Sequence, residues 1–148
     1  MSTSFLSTLK LTAARKSRAV PDVVKRRGKL LQKLVEQRNL AAALSQGQHY
    51  AAKRLRSVRD EATGSRTVRE VAVRVKPWFW TGERGETLLA INYGSRAIEI
   101  SKGKTAIDAG SAANLISVLD TVISAVKSGE LDVAIEAASV KLREGFMR

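Results

Sequence analysis

The chain has 148 residues, 44% of them hydrophobic, a formal net charge of +12 and no cysteine. That length suits a single domain able to bury a core. Without cysteine there is neither a disulfide framework nor a thiolate metal site, and with no run of about 18 apolar residues no membrane-spanning helix is expected.

The charge is unevenly placed. Residues 1–76 carry 18 Lys and Arg against 5 Asp and Glu, whereas residues 77–148 carry 8 against 9. A polyanion-binding half needs such a split; a merely soluble surface does not. Nucleic acid is the leading partner on this count. An anionic membrane surface or an acidic protein would satisfy the same arithmetic.

Residues 1–20 contain no acid, many Ser and Thr, and Lys10, Arg15, Lys16 and Arg18. This composition predicts a flexible basic arm that orders on a phosphate backbone. An organellar transit peptide shares it. The apolar content is too interrupted for a secretory signal.

Residues 21–47 read as a basic amphipathic helix. Pro21 suits the first turn, Val23, Val24, Leu30, Leu31, Leu34 and Val35 recur at helical spacing, and Gly47 is a natural stop. Cations crowd its first half, where the helix dipole disfavours them. Lys25, Arg26 and Arg27 are therefore candidate phosphate ligands, against the plainer reading of a solvated outer face. The apolar stripe is also a candidate partner face.

Residues 48–148 read as an antiparallel sheet followed by two helices. Asp60 to Ser65 is a turn cluster, with Arg54, Arg56 and Arg59 before it and Arg66, Arg69, Arg74 and Lys76 after it. Val71, Val73 and Val75 alternate with polar or small residues. These features predict an arginine-rich β-hairpin, whose near arm could instead prolong the helix.

A second hairpin turns at Gly94-Ser95, with Gly in the first turn position as type II′ prefers. Its expected register sets Tyr93 against Arg96, Ile91 against Ile98 and Leu89 against Ile100. One face is then apolar and the other largely polar. Thr105 to Asp108 is a further short strand. Ser111 caps a helix with Leu115, Leu119, Val122 and Val126 in one stripe, closed at Gly129, and a last helix begins near Glu130. The expected fold class is α+β, with about 4–6 antiparallel strands and the two C-terminal helices on one sheet face.

Catalytic chemistry is sparse. His49 is the one histidine, no nucleophile motif occurs, and the carboxylates are scattered. Gly103-Lys104-Thr105 ends like a P-loop, but the position that must be glycine is Ile98. The reading is a non-enzymatic chain with no cofactor, no metal and no small-molecule substrate.

Cations and rings remain. Single-strand binders combine a cationic groove with aromatic platforms under the bases, each stack contributing about 1–3 kcal/mol. Arg54, Arg56, Arg59, Arg66, Arg69, Arg74 and Lys76 would supply the groove, and Trp78 and Trp80 the platforms. Alternation places Trp78 and Trp80 on one face and Phe79 on the other. Core filling by the two indoles is the competing reading. The expected function is thus low-specificity binding of nucleic acid, single-stranded DNA or RNA preferred. A protein–protein module, such as a phage structural protein or a host-directed effector, is the alternative. An open sheet edge would allow a homo-oligomer.

The runs VVKRRGKLLQKLVEQ, RLRSVRDEATG, VKPWFW and INYGSRAIEISKGKTAI resemble a family of bacterial proteins, found also in phages and mobile elements, with no assigned activity or site residues. The resemblance implies a bacterial or phage-infected cytoplasm. A basic antiparallel sheet followed by an amphipathic helix is also similar in outline to Whirly-type single-stranded-DNA-binding folds, an analogy of architecture alone.

Overall fold

The computed structural model describes residues 4–146, so the first three residues of the expected arm and the last two of the chain lie outside it. Residues 4–20 are exposed throughout. They form one 3₁₀ turn, Phe5–Thr8, and then continue without regular secondary structure, with local hydrogen bonds only.

Helix α1 spans Asp22–Ser45. Pro21 sits at its N-cap and accepts from the Lys25 N–H, so the missing proline donor costs nothing. Leu30, Leu34, Gln37 and Ala41 fall at i, i+4, i+7 and i+11, and all are buried. Of the apolar stripe expected from the sequence, Val23, Val24 and Val35 remain exposed; the buried part is not a free partner face. It packs on the two C-terminal helices, and most extensively on the first of them.

Strands β1 (Ala51–Arg59) and β2 (Arg66–Arg74) form the expected arginine-rich hairpin, with all nine residues of each strand in antiparallel register. The alternative helical extension is excluded. Strands β3 (Phe79–Thr81), β4 (Thr87–Ala90) and β7 (Ala106–Gly110) make a three-stranded antiparallel sheet with β4 in the centre. Strands β5 (Asn92–Tyr93) and β6 (Arg96–Ala97) are a third, minimal ladder. Helix α2 spans Ala112–Ser128 and α3 spans Asp132–Phe146. The Ser111 hydroxyl accepts the Asn114 N–H, and Gly129 ends α2 in the left-handed conformation, both as the sequence predicts.

Two expectations need correction. The strands form three separate sheets, of two, three and two strands, not one sheet of four to six. The second hairpin keeps its predicted register only near the turn, where Tyr93 pairs with Arg96 and the Ile98 N–H donates to the Ile91 carbonyl at 2.7 Å. Leu89 does not meet Ile100. It pairs with Phe79 on one side and Ile107 on the other, while Ile100 bonds within its own turn to Lys104. Central placement of β4 spends both its edges, so nothing is left for the 99–104 segment.

The main core lies where all three helices meet the small sheet. Leu30, Leu34, Leu89, Ile91, Ile98, Leu119, Val126 and Ile135 are its most deeply buried side chains. A second, smaller cluster of Leu40, Ala52 and Val75 lies at the root of the β1–β2 ribbon, with Tyr50 and Phe79 against it. Among the described residues no helix is long and apolar enough to cross a membrane.

Candidate nucleic-acid interface

The β1–β2 ribbon stands apart from the body. Ala52 and Val75 are buried at its root, but no element other than its own partner strand packs broadly on it. From Arg66 to Glu70 every residue is exposed. Two strands without a covering layer are marginal in water, so this ribbon is held by its root and by its ladder.

Directly paired residues share a face. One face carries the pairs Ala52/Val73, Arg54/Val71, Arg56/Arg69 and Val58/Thr67. The other carries Ala51/Arg74, Lys53/Ala72, Leu55/Glu70, Ser57/Val68 and Arg59/Arg66. Arginine therefore faces arginine twice, once on each face. Like charges directly opposite one another destabilise a ladder, and neither pair has a carboxylate within salt-bridge distance among the described residues.

Of the twelve residues singled out from the sequence, all but Trp80 fall into three groups. Arg54, Arg56, Arg74, Lys76 and Trp78, together with Lys33, line one open cleft of about 380 Å³ between the ribbon root and α1. Arg59, Arg66 and Arg69 lie along the exposed distal half of the ribbon. Lys25, Arg26 and Arg27 stand at the start of α1, outside the cleft.

Two of the twelve are engaged internally. Nη2 of Arg54 donates to both oxygens of the buried Glu36 carboxylate, at 2.9 and 2.7 Å. A buried carboxylate needs such a cation. Arg27 grips Asp132 at the start of α3, with Nε donating to Oδ1 at 2.7 Å. That hydrogen bond and the opposite charge raise the Arg27 pKa, burial opposing them. The same hydrogen bond holds Asp132 below the usual carboxylate range. Arg38 makes a similar tie to Asp120 on α2, at 2.5 Å, and its pKa is raised by that bond and charge. Part of the N-terminal charge excess thus clamps α1 to the acidic half. The ribbon cations other than Arg54 are left over.

The three rings of the aromatic run differ in burial. Trp78 precedes β3, in a bend, and packs half-buried on the main core. Phe79 bridges the two apolar clusters. Trp80 pairs with Leu88 and is 46% exposed. The Trp78 carbonyl accepts the Ala90 N–H at 3.0 Å, continuing the β3–β4 register, so the two tryptophans differ in burial rather than in pairing.

Sequence reading missed Glu36 and Gln37, which organise the root. Gln37 is 2% exposed and its amide bonds the backbone on both sides of Pro77. Their signal was there: adjacent polar residues at the edge of an otherwise apolar helical stripe.

No protein-family model, curated protein or solved structure matches the chain. Its function is therefore read from its own geometry.

Proposed function

We propose that this chain is a non-enzymatic nucleic-acid-binding protein of low sequence specificity, and that the β1–β2 ribbon is its cationic finger. One observation carries the reading: Arg56 faces Arg69 and Arg59 faces Arg66, all four without a carboxylate partner among the described residues. Such pairs cost the ladder stability, and a phosphate chain turns the cost into attraction. The exposed basic arm, with Lys10, Arg15, Lys16 and Arg18, would add contacts that position without reading sequence. Arg27 and Arg54 are assigned to holding the fold, because their guanidinium groups already have carboxylates.

The test is an anisotropy titration with labelled oligonucleotides between about 50 and 200 mM salt, where a binder making many phosphate contacts loses orders of magnitude in affinity. Binding at low salt that falls steeply with salt is expected. No binding at low salt to any oligonucleotide would end the proposal.

A protein–protein role has one observation in its favour. Leu55 and Val68 are diagonal neighbours on one ribbon face, 74% and 69% exposed. The buried part of the α1 stripe, Leu30 and Leu34, does not support that role, whereas Val23, Val24 and Val35 stay exposed. A second copy seated on the ribbon would appear as a concentration-dependent dimer in sedimentation.

A further inference from the structure

Resting on that reading, we infer that the ribbon's ligand is the major groove of a B-form DNA duplex and not a single strand. Three features of the ribbon lead there.

The first is that unpaired arginines occupy both faces. Arg56 and Arg69 point to one side, Arg59 and Arg66 to the other. A ribbon lying along a single strand, or on any flat anionic surface, uses one face and leaves the opposite like-charged pair uncompensated. Inside a groove, phosphates stand on both walls. Long arginine side chains leaving the outward face can reach back to the rims, while those on the inward face meet base edges.

The second is the absence of rings. Single-strand binders set aromatic side chains among their cations. From Ala51 to Lys76 there is no aromatic residue. Of the two tryptophans beyond it, Trp78 is half-buried on the core at the edge of the root cleft, and Trp80, on a different sheet, is the more open.

The third is size. Two paired strands lie about 4.8 Å apart, and nine residues extend roughly 30 Å. The B-form major groove is about 12 Å wide and accepts a two-stranded ribbon, whereas the minor groove is about 6 Å wide. The deep, narrow major groove of A-form RNA does not admit it. Anchorage at the root alone leaves the distal half free to enter.

The experiment titrates the full chain, and the variants Arg56→Ala/Arg69→Ala and Arg59→Ala/Arg66→Ala, against duplex DNA, its separated strands and duplex RNA. All four side chains are exposed, and circular dichroism checks that each variant retains its fold; Arg→Gln versions serve in place of any that does not. Duplex DNA should bind at least about tenfold more tightly than either strand or the RNA. Each double variant should lose about tenfold or more; the salt slope should fall by about 1.8 for the pair that reaches the rim phosphates, the release expected for two phosphate contacts on B-DNA, and by less for the pair at the base edges. A major-groove dye should displace the protein and a minor-groove ligand should not. Tighter binding to single strands, or loss confined to one pair, overturns the groove inference and leaves the nucleic-acid reading standing. Absence of all binding at low salt removes both.

Discussion

The side-chain amide of Gln37 accepts the backbone N–H of Trp78 at 2.9 Å and donates to the carbonyl of Lys76 at 2.9 Å. Between them lies Pro77, which has no N–H to offer a ladder. A helix side chain thus supplies the bonding that a strand neighbour would otherwise make, exactly where the chain leaves the ribbon for the three-stranded sheet. Gln37→Leu keeps the volume but strands a donor and an acceptor. It should destabilise the protein by about 1–3 kcal/mol, read as a lower urea midpoint at unchanged slope. Gln37→Glu retains only the acceptor and should not restore the wild-type midpoint.

The ion pair of Glu36 with Arg54 ties the same root from the other side. Arg54→Ala leaves the Glu36 carboxylate, 8% exposed, with only the more distant Lys33 ammonium at 4.0 Å. Because Arg54 is itself partly open, the loss should be about 2–3 kcal/mol, below the roughly 3–5 kcal/mol of a fully buried pair. The double variant Glu36→Gln/Arg54→Met should recover part of it. If Arg54 were a phosphate ligand instead, its removal would weaken DNA binding and leave the urea midpoint unmoved. That outcome would reverse its assignment as a structural cation.

Local signals were legible in the sequence wherever one element decides its own form. The Ser111 cap, the Gly129 stop, the Asp60–Ser65 turn and the Gly94-Ser95 turn all stand where residue chemistry puts them. Partnership between distant segments was not legible. Leu89 fits an apolar hairpin face as well as it fits the centre of a three-stranded sheet, and only the presence of Phe79 and Ile107 decides. The same holds for α1, whose Leu30 and Leu34 served equally as a partner face until α2 and α3 covered them. Charge misled in one respect. Arg27 and Arg54 look like the other cations in sequence, and their carboxylates lie 105 and 18 residues away.

Gly94 tests the turn and its packing together. It has φ +62, and a Cβ there would lie 2.8 Å from Leu142 Cδ2 on α3. Gly94→Ala should cost about 1–2 kcal/mol for the left-handed backbone, plus whatever Leu142 cannot relieve by moving. Adding Leu142→Ala would remove the contact but not the backbone strain, and would leave a partly buried gap of its own. A thermal melt of the single variant should show the lower Tm. An unchanged Tm would mean that the turn adopts another conformation.

The Arg27–Asp132 tie makes stability depend on acid in a defined direction. The hydrogen bond from Arg27 holds the Asp132 carboxyl below its ordinary range, with burial working against it and the positive charge adding to it. A carboxyl whose pKa is lower folded than unfolded stabilises the protein above its unfolded pKa, near about 3.9. That contribution is lost as pH falls through the folded pKa. Gly129, at φ +90, keeps the space open: a Cβ there would come within 2.8 Å of Arg27 Nη2. Asp132→Asn should therefore have a lower Tm than the wild type at pH 7, and the gap should close as pH is taken well below about 4. Arg27→Ala should show the same closing gap, because both changes remove one interaction. A gap that persists undiminished in acid would mean that Asp132 stabilises the start of α3 by some means other than its charge.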